Sequence, residues 1–239
     1  MGVYNYFKRP VYSIDEQIRR TWDLEDMKNK AHKRALYYSN GEHEKELEVC
    51  WVSEPENMKT ASFGSNWGYY VGMDEIKRWY LDPARTEGLA SLCQPMSTWT
   101  VEEAEDGRSA RGLWYSMSQK TTEQPGGGCK AYWHGEKVGI DFIKEADGWK
   151  IWHLFIARDW FCEPGTNIGR IPSTLTPESA DFPNPEMADF GTPTISVTAY
   201  NNKYQWFDYP RIPTPYASWD DALGCGPEGH PDYADWRVK

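Results

Sequence analysis

Residues 137–162, KVGIDFIKEADGWKIWHLFIARDWFC, read as a β-hairpin, and the pairing inside it decides the fold. Glu145-Ala146-Asp147-Gly148 has the chemistry of a type I turn, with Gly148 as the left-handed residue of a bulge. If Glu145 and Trp149 close that loop, Asp141 faces His153, Ile143 faces Ile151 and Gly139 faces Phe155. Opposed side chains share one face of a sheet, roughly 4.5–5.5 Å apart at Cβ. The other face then takes Val138, Ile140, Phe142, Trp152, Leu154 and Ile156, all apolar. A loop one residue longer pairs Asp141 with Trp152 instead and separates the carboxylate from the imidazole.

Outward from this hairpin the pattern is helices first, then long strands. The spacing of Ile18, Trp22, Met27, Ala31, Ala35 and Tyr38 predicts a helix over 14–40, opened by Ser13 with Glu16 as a capping box and stopped at Asn40-Gly41. A short helix over 43–52 follows. Residues 59–73, rich in Gly and aromatics, read as a strand or bent strand pair, and 74–81 as a helix capped by Asp74. Strands are expected over 97–105 and 109–123 around the Asp106-Gly107 turn, then over 130–145 and 149–162. This order makes an α+β fold with helices on one face of a curved antiparallel sheet. Past Pro164 the composition changes: 11 of the 16 prolines fall in 164–239, with one predicted strand over 194–200. We divide the chain into an α+β domain, 1–162, and a C-terminal arm, 163–239, that packs on the domain or on a neighbouring subunit, or lids a pocket. The arm is too aromatic for plain disorder.

Composition narrows the chemistry. The 239 residues carry a net charge of −10 and no basic stripe, which argues against a nucleic-acid partner. The 13 Trp, 15 Tyr and 8 Phe suit a pocket for an aromatic ligand and equally a large interface between copies. Five scattered cysteines without C-x-x-C spacing fit reduced thiols in the cytoplasm. The N-terminal segment lacks an apolar core, and no run of 18 apolar residues follows, so a membrane partner is not expected. No Walker loop, G-x-S-x-G or G-x-G-x-x-G is present, and the histidines lack metal-site spacing. His134-Gly135-Glu136 lacks the downstream P-C-x-x-C of a zinc deaminase. Neither a metal nor another cofactor is expected.

Three stretches resemble the nuclear transport factor 2-like superfamily in its SnoaL-like branch: IRRTWDLEDMKNKAHKRALYYSNGEHEKELEVCW (18–51), SNWGYYVGMDEIKRWYL (65–81) and GIDFIKEADGWKIWHLFI (139–156). The resemblance implies a cone-shaped barrel, its sheet curled around a pocket capped by helices. Relatives include ketosteroid isomerase, scytalone dehydratase, polyketide cyclases and cofactor-independent lyases of lignin-derived diaryl compounds. It therefore implies proton transfer on a small, mostly apolar substrate by Asp, His and Tyr side chains. Fold alone does not fix function, because other members are binding or assembly modules.

The residues expected to carry such chemistry start with His153, a general acid/base with an ordinary pKa near about 6.5, oriented by Asp141. A core histidine bonded to the backbone reads the same way. His32 and Tyr38 come from the long helix, where the family places polar pocket groups, although Lys30, Lys33 and Arg34 equally make His32 part of a solvated face. Tyr69 is expected to donate to a developing oxyanion. Tyr70 and Tyr80 border the expected mouth, where plain aromatic packing is the alternative for each Tyr; Trp114 alternates with Tyr115 across the sheet; and Asp159 sits with Arg158 at the rim, or pairs with the arm or another subunit. Tyr70, Tyr80, Trp114 and Asp159, with Tyr38, are the expected substrate contacts. The function expected is a cofactor-independent lyase, by dehydration or retro-aldol cleavage, on an aromatic or polycyclic hydroxylated substrate. The alternatives are a ketosteroid-type isomerase and a non-catalytic binding module. An oligomer is expected, because the sheet has two faces to cover.

Overall fold

Helix α1 runs from Ile14 to Ser39, and the Ser13 hydroxyl accepts from the Glu16 N–H at its start. The computed structural model describes residues 10–66, 68–83, 87–124, 126–165, 194–196 and 209–231. The buried stripe of α1 is Asp23, Met27, Ala31, Arg34 and Ala35. Ile18 and Trp22, expected on that stripe, lie outside it, Trp22 being 73% exposed. The reason is electrostatic: Asp23 takes the inward position and pairs with Arg19 and with Lys144 at 2.8 Å.

Helix α2 (His43–Cys50) stops two residues before the expected end, because the chain at Trp51 turns extended and bridges Ile151. A short helix α3 (Pro55–Thr60) follows, unforeseen in the sequence, with Pro55 in its first turn. Strands β1 (Ser62–Ser65) and β2 (Gly68–Val71) form the bent pair. Helix α4 (Met73–Tyr80) has Gly72, with φ 88°, at its N-cap in place of Asp74. Then come β3 (Leu89–Cys93), also unforeseen, β4 (Met96–Glu103), β5 (Ser109–Glu123), β6 (Cys129–Glu145), β7 (Gly148–Cys162) and β8 (Ile195–Ser196). Of the predicted strand 194–200, residues 197–200 lie outside the described ones.

The sheet order is β3-β5-β6-β7-β1-β2-β8, with β4 also on β5. It is curved and open rather than closed into a barrel. It is also mixed: β1 runs parallel to β7, and the other pairs are antiparallel. The β6–β7 hairpin departs from its predicted register near the turn. Glu145 pairs with Gly148, so only Ala146 and Asp147 form the loop, and Ile143 faces Lys150 rather than Ile151. A bulge then leaves Trp152 unpaired and restores Asp141 opposite His153. The tip is fastened by the Glu145 carboxylate, which accepts from the Ser53 and Glu54 N–H groups, the Ser53 hydroxyl and Asn57.

The two faces of the sheet are covered differently. Val138, Ile140, Phe142, Leu154 and Ile156 join Met27, Ala31, Trp51, Trp114 and Trp149 in the main core under α1. Trp152, expected in that row, is partly buried against this core and also stacks on His153 at 4.3 Å. The opposite face presents Tyr69, Phe155 and Ala157, and these pack on Tyr209 and Cys225 of the arm. Arm residues 209–231 contain two short 3-10 turns, Asp221–Leu223 and Pro227–Gly229. No helix among the described residues is long and apolar enough to cross a membrane.

Candidate functional site

Alternation along β6 places His134 and Glu136 on the same face as Val138, Ile140 and Phe142, beneath the helices. They line a cavity of about 60 Å³ with Tyr38, Phe63, Trp79, Leu92, Gln94 and Arg158. Glu136 is the hub. Its Oε2 accepts from Gln94 Nε2 and Ser118 Oγ, each at 2.8 Å. Its Oε1 lies 3.4 Å from Arg158 Nε and 3.5 Å from His134 Nδ1.

The network continues across the core. Gln94 Oε1 accepts from Arg34 Nη1, while Arg34 Nε donates to Glu46 at 3.1 Å and Nη2 to the Tyr80 hydroxyl at 3.2 Å. One amide thus links two buried charges, its oxygen on the guanidinium and its nitrogen on the carboxylate. Such groups are costly when left unmatched, so a connected chain specifies a single arrangement.

Electrostatics follow from this packing. Burial opposes the Glu136 charge, but His134, Arg158 and Gln94 outweigh it and hold the carboxyl well below the usual range. Burial, reinforced by the Arg158 charge, pushes the His134 imidazole down to about 4, so it is neutral at neutral pH. Burial drives the Tyr80 hydroxyl well above its ordinary value. Lys120 and Arg158 are on the lining, where cations favour negative charge developing on a bound molecule.

The sequence-derived candidates divide between the two faces. Tyr38 lines the cavity, with its ring under Arg34 at 4.4 Å, and Tyr80 touches the network through Arg34. Tyr70 and Trp114 are core residues on the same side. His32 is half-buried on α1, its Nε2 without a hydrogen-bond partner among the described residues. Tyr69 lies on the opposite face, its hydroxyl 2.6 Å from that of Tyr209. Asp159 is beside Lys137 at 3.7 Å, and burial raises its pKa.

Asp141 and His153 do meet, Oδ2 to Nδ1 at 3.0 Å. They meet on the face away from the helices, not inside the cone. The arm closes over them: the Cys225 N–H donates to Asp141 Oδ2 at 2.7 Å, and Trp219 lies 5.7 Å from the imidazole. A Cβ on Gly226 would stand 3.1 Å from His153 Nδ1.

His134, Glu136, Gln94 and Ser118 were not singled out for this cavity from the sequence. For His134 and Glu136 a signal existed: their spacing matches the parity of the apolar row on β6. Arg158, expected at the rim, lies opposite Glu136 in the same register that pairs Asp141 with His153, and the second bulge falls just beyond it. Among the described residues, no three His, Cys, Asp or Glu side chains gather to hold a metal ion.

An open curved sheet laid over a long N-terminal helix, with a polar cluster between them, defines the nuclear transport factor 2-like fold. The chain belongs to the SnoaL-like domain family, whose model matches residues 19–154. A hexachlorocyclohexane dehydrochlorinase, LinA-type3 from Novosphingobium barchaimii LL02, superposes with a TM-score of 0.50 at 9% identity, over 65% of this chain and 97% of that one. A scytalone dehydratase-like protein from Novosphingobium aromaticivorans DSM 12444 gives 0.48 at 10% identity, over 65% and 95%. No curated protein matches the chain significantly.

Proposed function

We propose that the protein is a cofactor-independent lyase acting on a small hydroxylated aromatic molecule in the cavity beneath the sheet. The observation that carries this reading is the buried chain Glu46–Arg34–Gln94–Glu136, ending at His134 and Arg158 on a cavity whose apolar wall includes Phe63, Trp79, Leu92 and Ile156. Aromatic walls with a few convergent polar groups are the usual make-up of a small-molecule site.

His134 is the proposed base. Neutral at working pH, it takes a proton from the substrate, and the fixed Glu136 charge stabilises the imidazolium that forms. In a dehydration the proton leaves carbon, the electron pair becomes the new double bond, and the neighbouring hydroxyl departs as water after regaining that proton. In a retro-aldol cleavage the hydroxyl proton is taken, the C–C bond breaks to give an aldehyde, and the carbanion that leaves with the electron pair takes the proton back from the imidazolium. Arg158 and Lys120 stabilise the negative charge in either course. Tyr38 and Trp79 hold the ring. Elimination chemistry also agrees with the name of the dehydrochlorinase that shares the fold.

The cavity's 60 Å³ is small beside a whole aromatic molecule, so it would admit the reacting carbons and leave the rest of the substrate outside. The test is turnover by the purified full chain of hydroxylated mono- and diaryl compounds, read as aldehyde release or growth of conjugated absorbance. The expected result is turnover without added cofactor that is lost in folded His134→Gln. Equal turnover by that variant removes His134 from the mechanism.

A further inference from the structure

Arg111 lies on β5, directly across from Asp141 of β6, on the face covered by the arm. It is 6% exposed. Its guanidinium stacks on the Tyr216 ring at 3.7 Å, and Nη1 donates to the Leu223 carbonyl at 3.2 Å. Asp141 does not serve as its partner, because that carboxylate is turned to His153 Nδ1 and the Cys225 N–H. Nε and Nη2 of Arg111 are left buried, without a hydrogen-bond partner among the described residues. These two nitrogens form one edge of the guanidinium, the fork that matches both oxygens of a carboxylate. Burying such donors unmatched is unfavourable, so an acceptor is called for.

Space for one exists. A second cavity of about 60 Å³ is lined by Arg111, Asp141, Arg211, Thr214, Gly224 and Cys225, among others. Arg211, Ile212 and Thr214 are exposed, so the cavity's outer wall is formed by surface residues of the arm. Arg211 adds a second cation, fixed by its hydrogen bond to the Ala222 carbonyl at 2.6 Å. Among the described residues of the lining, two guanidiniums stand with one carboxylate, whose Oδ2 is already hydrogen-bonded to His153 Nδ1.

We propose that this cavity is a carboxylate-binding site, in which the anion takes both free nitrogens of Arg111 and bridges the sheet to the arm. The site is separate from the cavity beneath the helices and does not depend on the lyase reading. Two sources share this chemistry: a free small acid, and the carboxylate of a larger aromatic acid entering past Ile212.

The test is thermal unfolding of the full chain in sodium acetate and, separately, sodium benzoate, against sodium chloride of equal ionic strength. At tenfold over Kd the midpoint is expected to rise by roughly 3 °C. Arg111→Lys keeps the charge but loses the fork, and it should reduce that rise to the chloride baseline. A rise with acetate identifies a small free acid, and a rise with benzoate alone identifies the larger one. No rise with either, or an equal rise in the variant, overturns the proposal. Wild-type crystals soaked in sodium acetate and in sodium para-bromobenzoate give a check that needs no variant: planar carboxylate density, or bromine density, beside Arg111 supports the site, and ordered water alone there in both soaks refutes it.

Discussion

Strand β6 carries a carboxylate beside a histidine on each of its faces, and the two pairs differ in what lies over them. On the inner face His134 and Glu136 are 3.5 Å apart beside open space, with Gln94, Ser118 and Arg158 also on the carboxylate. On the outer face Asp141 and His153 are closer, at 3.0 Å, but the arm backbone from Gly224 to Gly226 presses on both. A short hydrogen bond between the right residue types is therefore a poor guide to reactivity on its own. Room for a substrate against the imidazole separates the pairs: the His134 ring lines a cavity, whereas Gly226 stands against the ring of His153. The outer pair instead seats the arm, together with Lys137, whose ammonium donates to the Tyr209 carbonyl at 2.9 Å, and Tyr216, whose carbonyl accepts from the Glu105 N–H.

The largest expected effect breaks the inner network. Arg34→Met leaves Glu46 buried without its cation and removes the donor to Gln94. It should cost about 3–5 kcal/mol by urea unfolding. A loss below 1 kcal/mol would show that the network is not a stabilising unit.

Next is the outer face. A Cβ at Gly139 would lie 2.7 Å from Pro210, so Gly139→Ala should displace the arm and cost about 1–3 kcal/mol. Protease cleavage between 209 and 231 should accelerate while turnover in the inner cavity stays within about threefold of wild type. If turnover collapses with the arm displaced, the two faces are not independent.

Acid sharpens the contrast further. His134, held at about 4, lies below the ordinary value near about 6.5, so the unfolded chain takes its proton first as pH falls. Its contribution to stability is therefore complete above about 6.5 and lost progressively as pH drops through about 4. His230 of the arm, pushed down to about 3 by burial, acts with the same sign. Turnover, which needs the neutral His134 ring, should be level above pH 5 and fall below 4. Replacement of His230 by Phe should leave that lower limb in place. The smallest effect belongs to Trp22, which sits off the buried stripe: Trp22→Glu should change stability by less than about 0.5 kcal/mol.

Much of this architecture was legible in residue patterns. The 3.6-residue spacing and Ser13 cap mark α1, Asp106-Gly107 marks the β4–β5 turn, and alternation on β6 and β7 separates an apolar row from a polar one. The Asp141–His153 pairing was legible too, although the loop is a residue shorter than its turn chemistry indicates and a bulge at Trp152 makes up the difference. The side on which that pair would be used was not legible. Alternation says which residues share a face but not which cover each face receives. The apolar row, which seals the core, also runs up to His134 and Glu136, and polar residues at its end read as solvated until Gln94 is seen to reach Glu136 and Arg34 to reach Gln94. Those two come from α1 and the segment between β3 and β4, at sequence distances no local spacing rule connects. Trp22 misleads for a related reason, since Asp23 displaces it through ion pairs with partners on other elements.

The most direct measurement is kcat/KM for His134→Gln and His153→Gln, side by side, on one substrate that the wild type turns over, with folding of each variant verified by circular dichroism. The inner-face account predicts a loss of about 10²–10⁴-fold for His134→Gln and less than about threefold for His153→Gln. The reverse order, with His153→Gln inactive and His134→Gln unimpaired, would move the chemistry to the arm side of the sheet.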